Sequence, residues 1–230
     1  MDSQNLPAVL HEVRERMARA AAAAGRNAQS VTLLAVGKAQ PAELLAAAAD
    51  CGVTDFGESY LQEALAKIAA LRSRTLTWHF IGRIQANKTR PIAESFSWVH
   101  ALDRVKVAER LAAQRPLEAP PLNVCLEVNI AAEPSKGGIM PAELPDLAAH
   151  VARLPPLTLR GLMCIPPEDA EPARQRAWFA RLRGLRDDLN AAGYSLDTLS
   201  MGMSADFEAA IQEGATIVRL GTVLFGARPR

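Results

Sequence analysis

The sequence predicts an α/β fold: a closed, TIM-type (β/α)8 barrel in a single domain over residues 1–230, with an extra N-terminal helix over residues 4–24. Three observations predict it. Short apolar runs alternate with segments of helical periodicity along the whole chain, in the order a parallel sheet needs. The runs are nearly continuous in apolar character, as in strands covered on both faces. The length of 230 residues with 49% hydrophobic content suits one sizeable core, and α/β barrels use such a length as one domain. Connection order is the ground for closure, and an open doubly wound sheet is the alternative.

The elements follow in order. Leu6, Val9, Leu10, Val13, Met17 and Ala20 share one helical face, and Gly25 ends that helix. Residues 31–38, Val-Thr-Leu-Leu-Ala-Val-Gly-Lys, form the first strand, broken by Gln40-Pro41. A helix runs from Pro41 to Asp50 and stops at Gly52. Val53–Phe56 is the second strand, with Gly57-Glu58-Ser59-Tyr60 as its loop, and a helix covers Leu61 to about Arg72. Thr77–Ile81 and Phe96–Val99 are the third and fourth strands, separated by a helix over Gln85–Glu94. A helix from about Arg104 to Arg115 leads into a proline-rich loop ending at Pro121. Leu122–Ile130 is the fifth strand, Pro141–Arg153 its helix, and Leu157–Met163 the sixth strand. After the loop Pro166–Pro172, Trp178, Leu182, Leu185 and Leu189 mark one face of a long helix. Leu196–Ser200, a helix over Ala205–Glu213, the strand Thr216–Leu220 and a helical turn at Gly221–Phe225 complete the barrel.

Composition excludes several function classes. The formal net charge of +1, with no basic patch or tail, argues against a nucleic-acid partner. No apolar run approaches the ~20 residues of a membrane span, so no membrane association is expected. The first residues are interrupted by His11, Glu12, Arg14, Glu15 and Arg16, which is not the pattern of a signal peptide. Cys51, Cys125 and Cys164 are widely spaced within apolar segments, the usage of reduced, buried thiols in a cytoplasmic protein. His11, His79, His100 and His150 fall in different elements without ligand spacing, so no metal site is expected.

If the barrel closes, the carboxyl ends of its strands gather chemistry on one face. Lys38 ends the first strand. There it is either a surface lysine or a partly desolvated amine whose lowered pKa suits Schiff-base formation. The run Ser200-Met201-Gly202-Met203-Ser204 passes through a glycine turn into a helix. Ser204 either caps that helix, aided by Asp206, or belongs to a phosphate cradle of free N–H groups. In Arg219-Leu220-Gly221-Thr222, Gly221 permits close approach of a ligand and Thr222 adds a hydroxyl. Barrel phosphate sites are commonly built from the loops after strands seven and eight, where these two turns fall. Arg219 stands in an apolar strand and needs a partner, either a carboxylate such as Glu58 or Asp206 or a ligand. A reactive amine, a phosphate cradle and an inward arginine together suit pyridoxal 5′-phosphate, which carries an aldehyde, a phosphate and a ring nitrogen.

The sequence closely resembles the pyridoxal phosphate homeostasis proteins, single-domain relatives of the alanine racemase barrel. The resemblance is carried by residues 34–38 (Leu-Ala-Val-Gly-Lys), 56–63 (Phe-Gly-Glu-Ser-Tyr-Leu-Gln-Glu), and 78–82 (Trp-His-Phe-Ile-Gly) with Gln85 and Asn87-Lys88. It continues through 128–130 (Val-Asn-Ile), 135–138 (Ser-Lys-Gly-Gly), 160–163 (Arg-Gly-Leu-Met) with Ile165-Pro166, 199–204 (Leu-Ser-Met-Gly-Met-Ser), 218–222 (Val-Arg-Leu-Gly-Thr) and 225–228 (Phe-Gly-Ala-Arg). The resemblance implies that Lys38 carries the cofactor as a Schiff base, that Ser204, Gly221 and Thr222 hold its phosphate, and that Arg219 faces the pyridine nitrogen. Ser59, Met201, Gly202 and His79 complete the expected cofactor contacts, with a hydrogen-bonded structural role as the alternative for His79. Two positions depart from the family pattern. Gly37 stands where serine or threonine is common, and Ser59 replaces the common asparagine, offering a shorter reach.

An arginine beside the ring nitrogen disfavours its protonation and weakens the cofactor as an electron sink. Barrel racemases also take a second, tyrosine base from a C-terminal β domain, and this chain ends at Arg230 directly after its eighth strand. Tyr60 is expected to pack at the start of its helix, and neither it nor Tyr194 has an evident claim to that role. The expected protein is therefore a non-enzymatic, monomeric carrier or buffer of pyridoxal phosphate. Apo forms of enzymes that use the cofactor are its candidate recipients. A racemase of low activity is the alternative, and a Schiff-base aldolase acting on a sugar phosphate a third. Lys136 is either a solvated loop lysine or a weaker contact to the aldehyde or phosphate.

Overall fold

The computed structural model describes residues 5–168 and 171–226. Residue 4 of the expected first helix, part of the loop Pro166–Pro172, and Ala227-Arg228 of the last family motif lie outside the described residues. The first helix, α1 (Leu6–Ala23), has a proline in its first turn and buries Leu6, Leu10, Val13, Met17, Ala20 and Ala21 along one stripe. Each large apolar side chain so covered contributes about 1.5–3 kcal/mol. Gly25, at φ +66°, turns the chain out of it.

Eight strands follow: β1 (Thr32–Val36), β2 (Asp55–Glu58), β3 (Thr77–Phe80), β4 (Trp98–Leu102), β5 (Leu122–Glu127), β6 (Leu157–Met163), β7 (Thr198–Ser200) and β8 (Ile217–Leu220). They pair in sequence order, all parallel, and β8 returns to β1 through Leu34 opposite Arg219 and Ala35 opposite Leu220. The sheet is closed, which excludes the open doubly wound alternative. The outer helices are α2 (Ala42–Asp50), α3 (Leu61–Ala70), α4 (Thr89–Ser95), α5 (Val105–Gln114), α6 (Leu144–Val151), α7 (Pro172–Ala191), α8 (Phe207–Gln212) and the turn α9 (Thr222–Phe225). The extra helix α1 packs on α8 and α9, and Arg16 fixes it by a two-pronged bond to Glu208 at 2.8 and 3.0 Å.

Several boundaries differ from the sequence reading, each for a packing reason. Gly57 and Glu58 belong to β2 rather than to a loop, because Gly57 pairs with both Val36 and His79. Its missing side chain admits Leu34 and Ile81, which a Cβ there would meet at 3.2 Å. β4 begins two residues later than expected, since Phe96 is spent on an edge-to-face contact with Phe80, ring centroids 5.3 Å apart. The helix expected over Gln85–Glu94 is divided into a 3-10 turn at Ala86–Lys88 and α4, with Pro91 in the first turn of α4, where a proline is tolerated. β5 stops at Glu127, and Val128 keeps one N–H bond to the Met163 carbonyl at 2.8 Å and an isolated bridge to Ile139.

The interior is filled rather than hollow. Trp98, Ala101, Cys125 and Met163 form a packed group separate from the main core between sheet and helices. β6 and β7 approach so closely at Gly161 that a Cβ there would lie 1.8 Å from the Thr198 carbonyl oxygen. Among the described residues no helix is long and apolar enough to cross a membrane.

Candidate functional site

At the carboxyl end of β1 the chain turns sharply through Gly37-Lys38-Ala39-Gln40. Ala39 sits at φ +61°, a left-handed conformation uncommon for a residue with a Cβ, and Gln40 N–H closes the turn on the Gly37 carbonyl at 3.0 Å. A buried cluster holds this turn from below. Lys67 Nζ, on α3, donates to the Gly37 carbonyl at 2.6 Å, to Glu58 Oε1 at 2.8 Å and to Glu63 Oε1. Glu63 Oε1 in turn accepts the Ala39 N–H at 2.7 Å. The main chain on both sides of Lys38 is therefore tied to one lysine–glutamate pair. A Cβ on Gly37 would meet Glu58 Oε1 at 2.7 Å and Leu45 Cδ2 at 2.8 Å, so the carboxylate occupies the space a serine or threonine would need. Burial pushes the Glu58 carboxyl up to about 7 against the pull of Lys67 and Lys38, and its Oε2 has no hydrogen-bond partner among the described residues.

The second half of the site lies at the ends of β7 and β8. Gly202, at φ +94°, turns the chain where a Cβ would collide with Ala210 Cβ at 2.6 Å, and its carbonyl accepts the Arg219 N–H at 2.9 Å. Ser204 does not cap α8. That helix begins at Phe207, and Asp206 Oδ1 takes the Met203 N–H at 2.6 Å, which leaves Ser204 outside the helix. The Ser204 hydroxyl instead accepts the Val223 N–H of α9 at 3.3 Å, joining the two turns. Among the described residues the N–H groups of Ser204, Ala205 and Thr222 have no hydrogen-bond acceptor. Gly221 lies against β1, where a Cβ would be 3.4 Å from the Val36 carbonyl oxygen, two residues before Lys38. The lysine turn and the two glycine turns are thus brought together across the β1–β8 seam. The Met201 side chain is wholly in the core.

Arg219 points inward and is 5% exposed. It pairs with neither Glu58 nor Asp206. Its Nη1 donates to the Ser200 carbonyl at 2.6 Å and to Ser200 Oγ at 2.9 Å, and its Nη2 to the Cys164 carbonyl at 2.9 Å. Burial draws its pKa down, offset in part by the fields of Asp206 and Glu127. Burial likewise pushes Glu127 up to about 6 and raises Asp206.

His79 has both ring nitrogens occupied by the protein, Nε2 by Asp55 at 3.0 Å and Nδ1 by His100 at 2.9 Å, and is 1% exposed. These are the contacts of the structural alternative, and they leave no ring nitrogen for a ligand. Ser59 lines a cleft of about 270 Å³ with Tyr60, Arg83, Gln85 and Lys88 at the ends of β2 and β3. Tyr60 does not pack at the helix start as expected; it is 54% exposed. Lys136 pairs with Glu133 at 2.7 Å in its loop. Cys125 and Cys164 are buried free thiols, and Cys51 is half-buried. Among the described residues no group of three or more His, Cys, Asp or Glu is placed to hold a metal ion.

A closed parallel barrel with a lysine at the end of its first strand and two glycine turns after its last two defines a class. The alanine racemase N-terminal domain family matches residues 9–229. Solved alanine racemases share the fold, that of Clostridium difficile superposing with a TM-score of 0.74 at 14% identity over 99% of this chain and 58% of the racemase. Within the class the similarity is much higher to one group. The pyridoxal phosphate homeostasis protein of Pseudomonas aeruginosa is 58% identical over 98% of this chain and 95% of its own length, and that of Escherichia coli 48% over 95% of each. PipY of Synechococcus elongatus, whose structure has been solved with pyridoxal phosphate bound, superposes with a TM-score of 0.79 at 38% identity over 86% of this chain and 93% of PipY. The chain belongs to the pyridoxal phosphate homeostasis protein family.

Proposed function

We propose that this barrel reversibly binds pyridoxal 5′-phosphate on Lys38 and serves as a carrier and buffer of the cofactor in vitamin B6 homeostasis. The observation that carries the reading is the seam at which the Lys38 turn, Gly221 and the Ser204–Val223 bond meet above a buried arginine. The residues fit the group. N–H donors at Ser204, Ala205 and Thr222 that are unpartnered among the described residues, with the Ser204 and Thr222 hydroxyls, suit a phosphate dianion. Arg219, a cation without a carboxylate partner among the described residues, suits an uncharged ring nitrogen. When bound, the cofactor supplies an aldehyde that condenses reversibly with a primary amine.

The chain's own groups then have distinct tasks. Lys38 holds the aldehyde, and Gly202 and Gly221 let the main chain approach the phosphate. Lys67 and Glu63 fix the turn on either side of the amine. Glu58, whose carboxyl titrates at about 7, is able to hold or release a proton beside the two lysines near neutral pH. Ser59 joins from the β2 end. Arg219 keeps the ring nitrogen unprotonated, which favours storage over carbanion chemistry. The names of the relatives, homeostasis proteins rather than enzymes, agree with a carrier. We place its action in the cytoplasm, as one monomeric domain that releases the cofactor to apo-enzymes.

The test is direct. Protein incubated with pyridoxal phosphate is reduced with borohydride and the modified peptide mapped. The label is expected on Lys38, and the Lys38→Ala protein is expected to stay colourless. A label elsewhere overturns the site, and steady interconversion of L- and D-alanine by the loaded protein overturns the carrier.

A further inference from the structure

A continuous chain of hydrogen bonds crosses the barrel interior beneath the site. Asp55, the first residue of β2, faces His79 of β3 at 3.0 Å; His79 Nδ1 faces His100 Nε2 of β4 at 2.9 Å; His100 Nδ1 faces Ser200 Oγ of β7 at 2.7 Å; and Ser200 Oγ receives Arg219 Nη1 of β8 at 2.9 Å. His79, His100, Ser200 and Arg219 are all buried, at 1%, 0%, 0% and 5% exposure. Asp55 alone opens outward, into a cavity of about 420 Å³ under α1.

The two ends of this chain differ in kind. A guanidinium can only donate, and an ionised carboxylate can only accept. Arg219 therefore fills one lone pair of Ser200 Oγ, and the hydroxyl proton goes on to His100 Nδ1. His100 then carries its proton on Nε2 and gives it to His79 Nδ1, and His79 carries its own on Nε2 for Asp55. One polarity satisfies every link, with both imidazoles neutral and both in the Nε2–H form. With His100 protonated on Nε2, an extra proton on His79 Nδ1 would set two donors face to face across 2.9 Å, and an extra proton on His100 Nδ1 would make Ser200 Oγ accept twice and turn its own proton away from the chain. The charged and titratable surroundings agree with this. His100 is faced by His79 and Arg219, with Cys125 of β5 beside them as a neutral thiol pushed up to about 12. Trp98 stacks on His79, centroids 5.5 Å apart, and its other neighbour Arg160 is paired with Asp197. Burial lowers the pKa of both histidines, that of His100 well below the usual value, with Asp55 opposing the shift at His79.

We propose that Asp55, His79, His100 and Ser200 are positioning residues that lock the Arg219 guanidinium in place, so that the far end of the barrel sets the protonation of the ring nitrogen of a bound pyridine cofactor. This rests on the cofactor reading above. No histidine in the chain adds a second positive charge beneath the ring, and Ser200 keeps a lone pair turned to Arg219. Removing the terminal acceptor abolishes the directionality: both rings are then free to adopt the Nδ1–H form, and Ser200 Oγ takes two donors with no defined place for its own proton.

The test compares wild type with Asp55→Leu, Asp55→Asn and Ser200→Ala. Nitrogen-15 NMR of the cofactor-free proteins reads the histidine tautomers, and absorbance of the loaded proteins from pH 5 to 9 reads the cofactor. Wild type and Asp55→Asn, which keeps an acceptor oxygen, are expected to show one Nε2–H form for His79 and His100. Asp55→Leu is expected to add a second tautomer at His100, and both Asp55→Leu and Ser200→Ala to shift the pH midpoint of the cofactor band. An Nδ1–H or doubly protonated His100 in wild type at pH 7, or band titrations in Asp55→Leu and Ser200→Ala that overlay wild type, overturns the proposal. Failure of wild type to take up pyridoxal phosphate defeats the cofactor reading by itself, and the tautomers of the Asp55 variants then decide whether the chain has the stated polarity.

Discussion

Replacing Glu58 with glutamine tests the electrostatics of the lysine turn. Glu58 is wholly buried, and burial pushes its carboxyl from 4.5 up to about 7 despite the Lys67 ammonium at 2.8 Å. The folded state thus holds a proton on Glu58 that the unfolded state has released through the window from about 4.5 to 7. Stability from this group is complete below the lower value and is lost as pH rises through the upper one. For a single site with these two pKa values, the loss between pH 5 and pH 8 integrates to about 2–3 kcal/mol. Glutamine keeps the shape and removes the titration. Urea unfolding of cofactor-free wild type and Glu58→Gln at both pH values gives the quantity needed. Contributions of Glu127 and Asp206, also raised by burial, cancel in the difference between the two proteins. The wild type is expected to lose about 2–3 kcal/mol more than the variant on going from pH 5 to pH 8. Equal losses in the two proteins, within about 0.5 kcal/mol, would falsify the claim that Glu58 is protonated by burial.

Lys67→Met removes the cation that links Glu58, Glu63 and the Gly37 carbonyl. It is expected to cost about 3–5 kcal/mol at pH 8 and clearly less at pH 5, where Glu58 is neutral, as read by the same unfolding curves. Gly161→Ala places a Cβ 1.8 Å from a main-chain oxygen of the neighbouring strand and is expected to yield no folded protein by circular dichroism. Gly184→Ala, within α7 and with nothing within 4 Å of its Cβ, is expected to stabilise by about 0.5–1 kcal/mol; a destabilised variant would contradict the open surroundings. Cys125 and Cys164 are buried with thiols pushed up to about 12, so an aromatic disulfide reagent at pH 8 should titrate only Cys51 in the native protein and all three thiols in urea.

The fold was legible because its signals are local. A continuous apolar strand ending in Gly37-Lys38, and glycine turns after the seventh and eighth strands, can be read within windows of ten residues. What those windows mislead about is how a local motif is used. Ser204, standing before a helix, reads as a cap, yet Asp206 satisfies the turn and releases the Ser204 hydroxyl to a partner 19 positions away, at Val223. Gly57-Glu58 reads as a loop because glycine breaks strands, whereas here it is the small residue that lets Leu34 and Ile81 share one interior layer. The boundary of β4 slipped because Phe96 looks like a strand residue and is instead a wedge against Phe80.

The polar half of the site was the harder part, and for one physical reason. A buried ion or imidazole is stable only with its partner, and the partner's identity depends on register between strands distant in sequence. His79 and His100 each stand alone in an apolar strand, which signals an inward polar residue without saying what it meets; the pairing of His79 beside Trp98 and of Ser200 beside Ile217 decides that. Lys67 and Glu63 carried a visible cue, since an acid four residues before a lysine on a helix normally marks a solvated pair. Here the pair is buried because α3 lies over the β1 turn, and Lys67 at 4% exposure gives its protons to Gly37 and Glu58. The same constraint acts on both sides of the seam. Lys38 is held by a cluster in which burial pushes Glu58 up to about 7, and Arg219 by a chain whose histidines are held neutral by burial; under the proposed binding mode the aldehyde end of the site would exchange protons and the ring end refuse them.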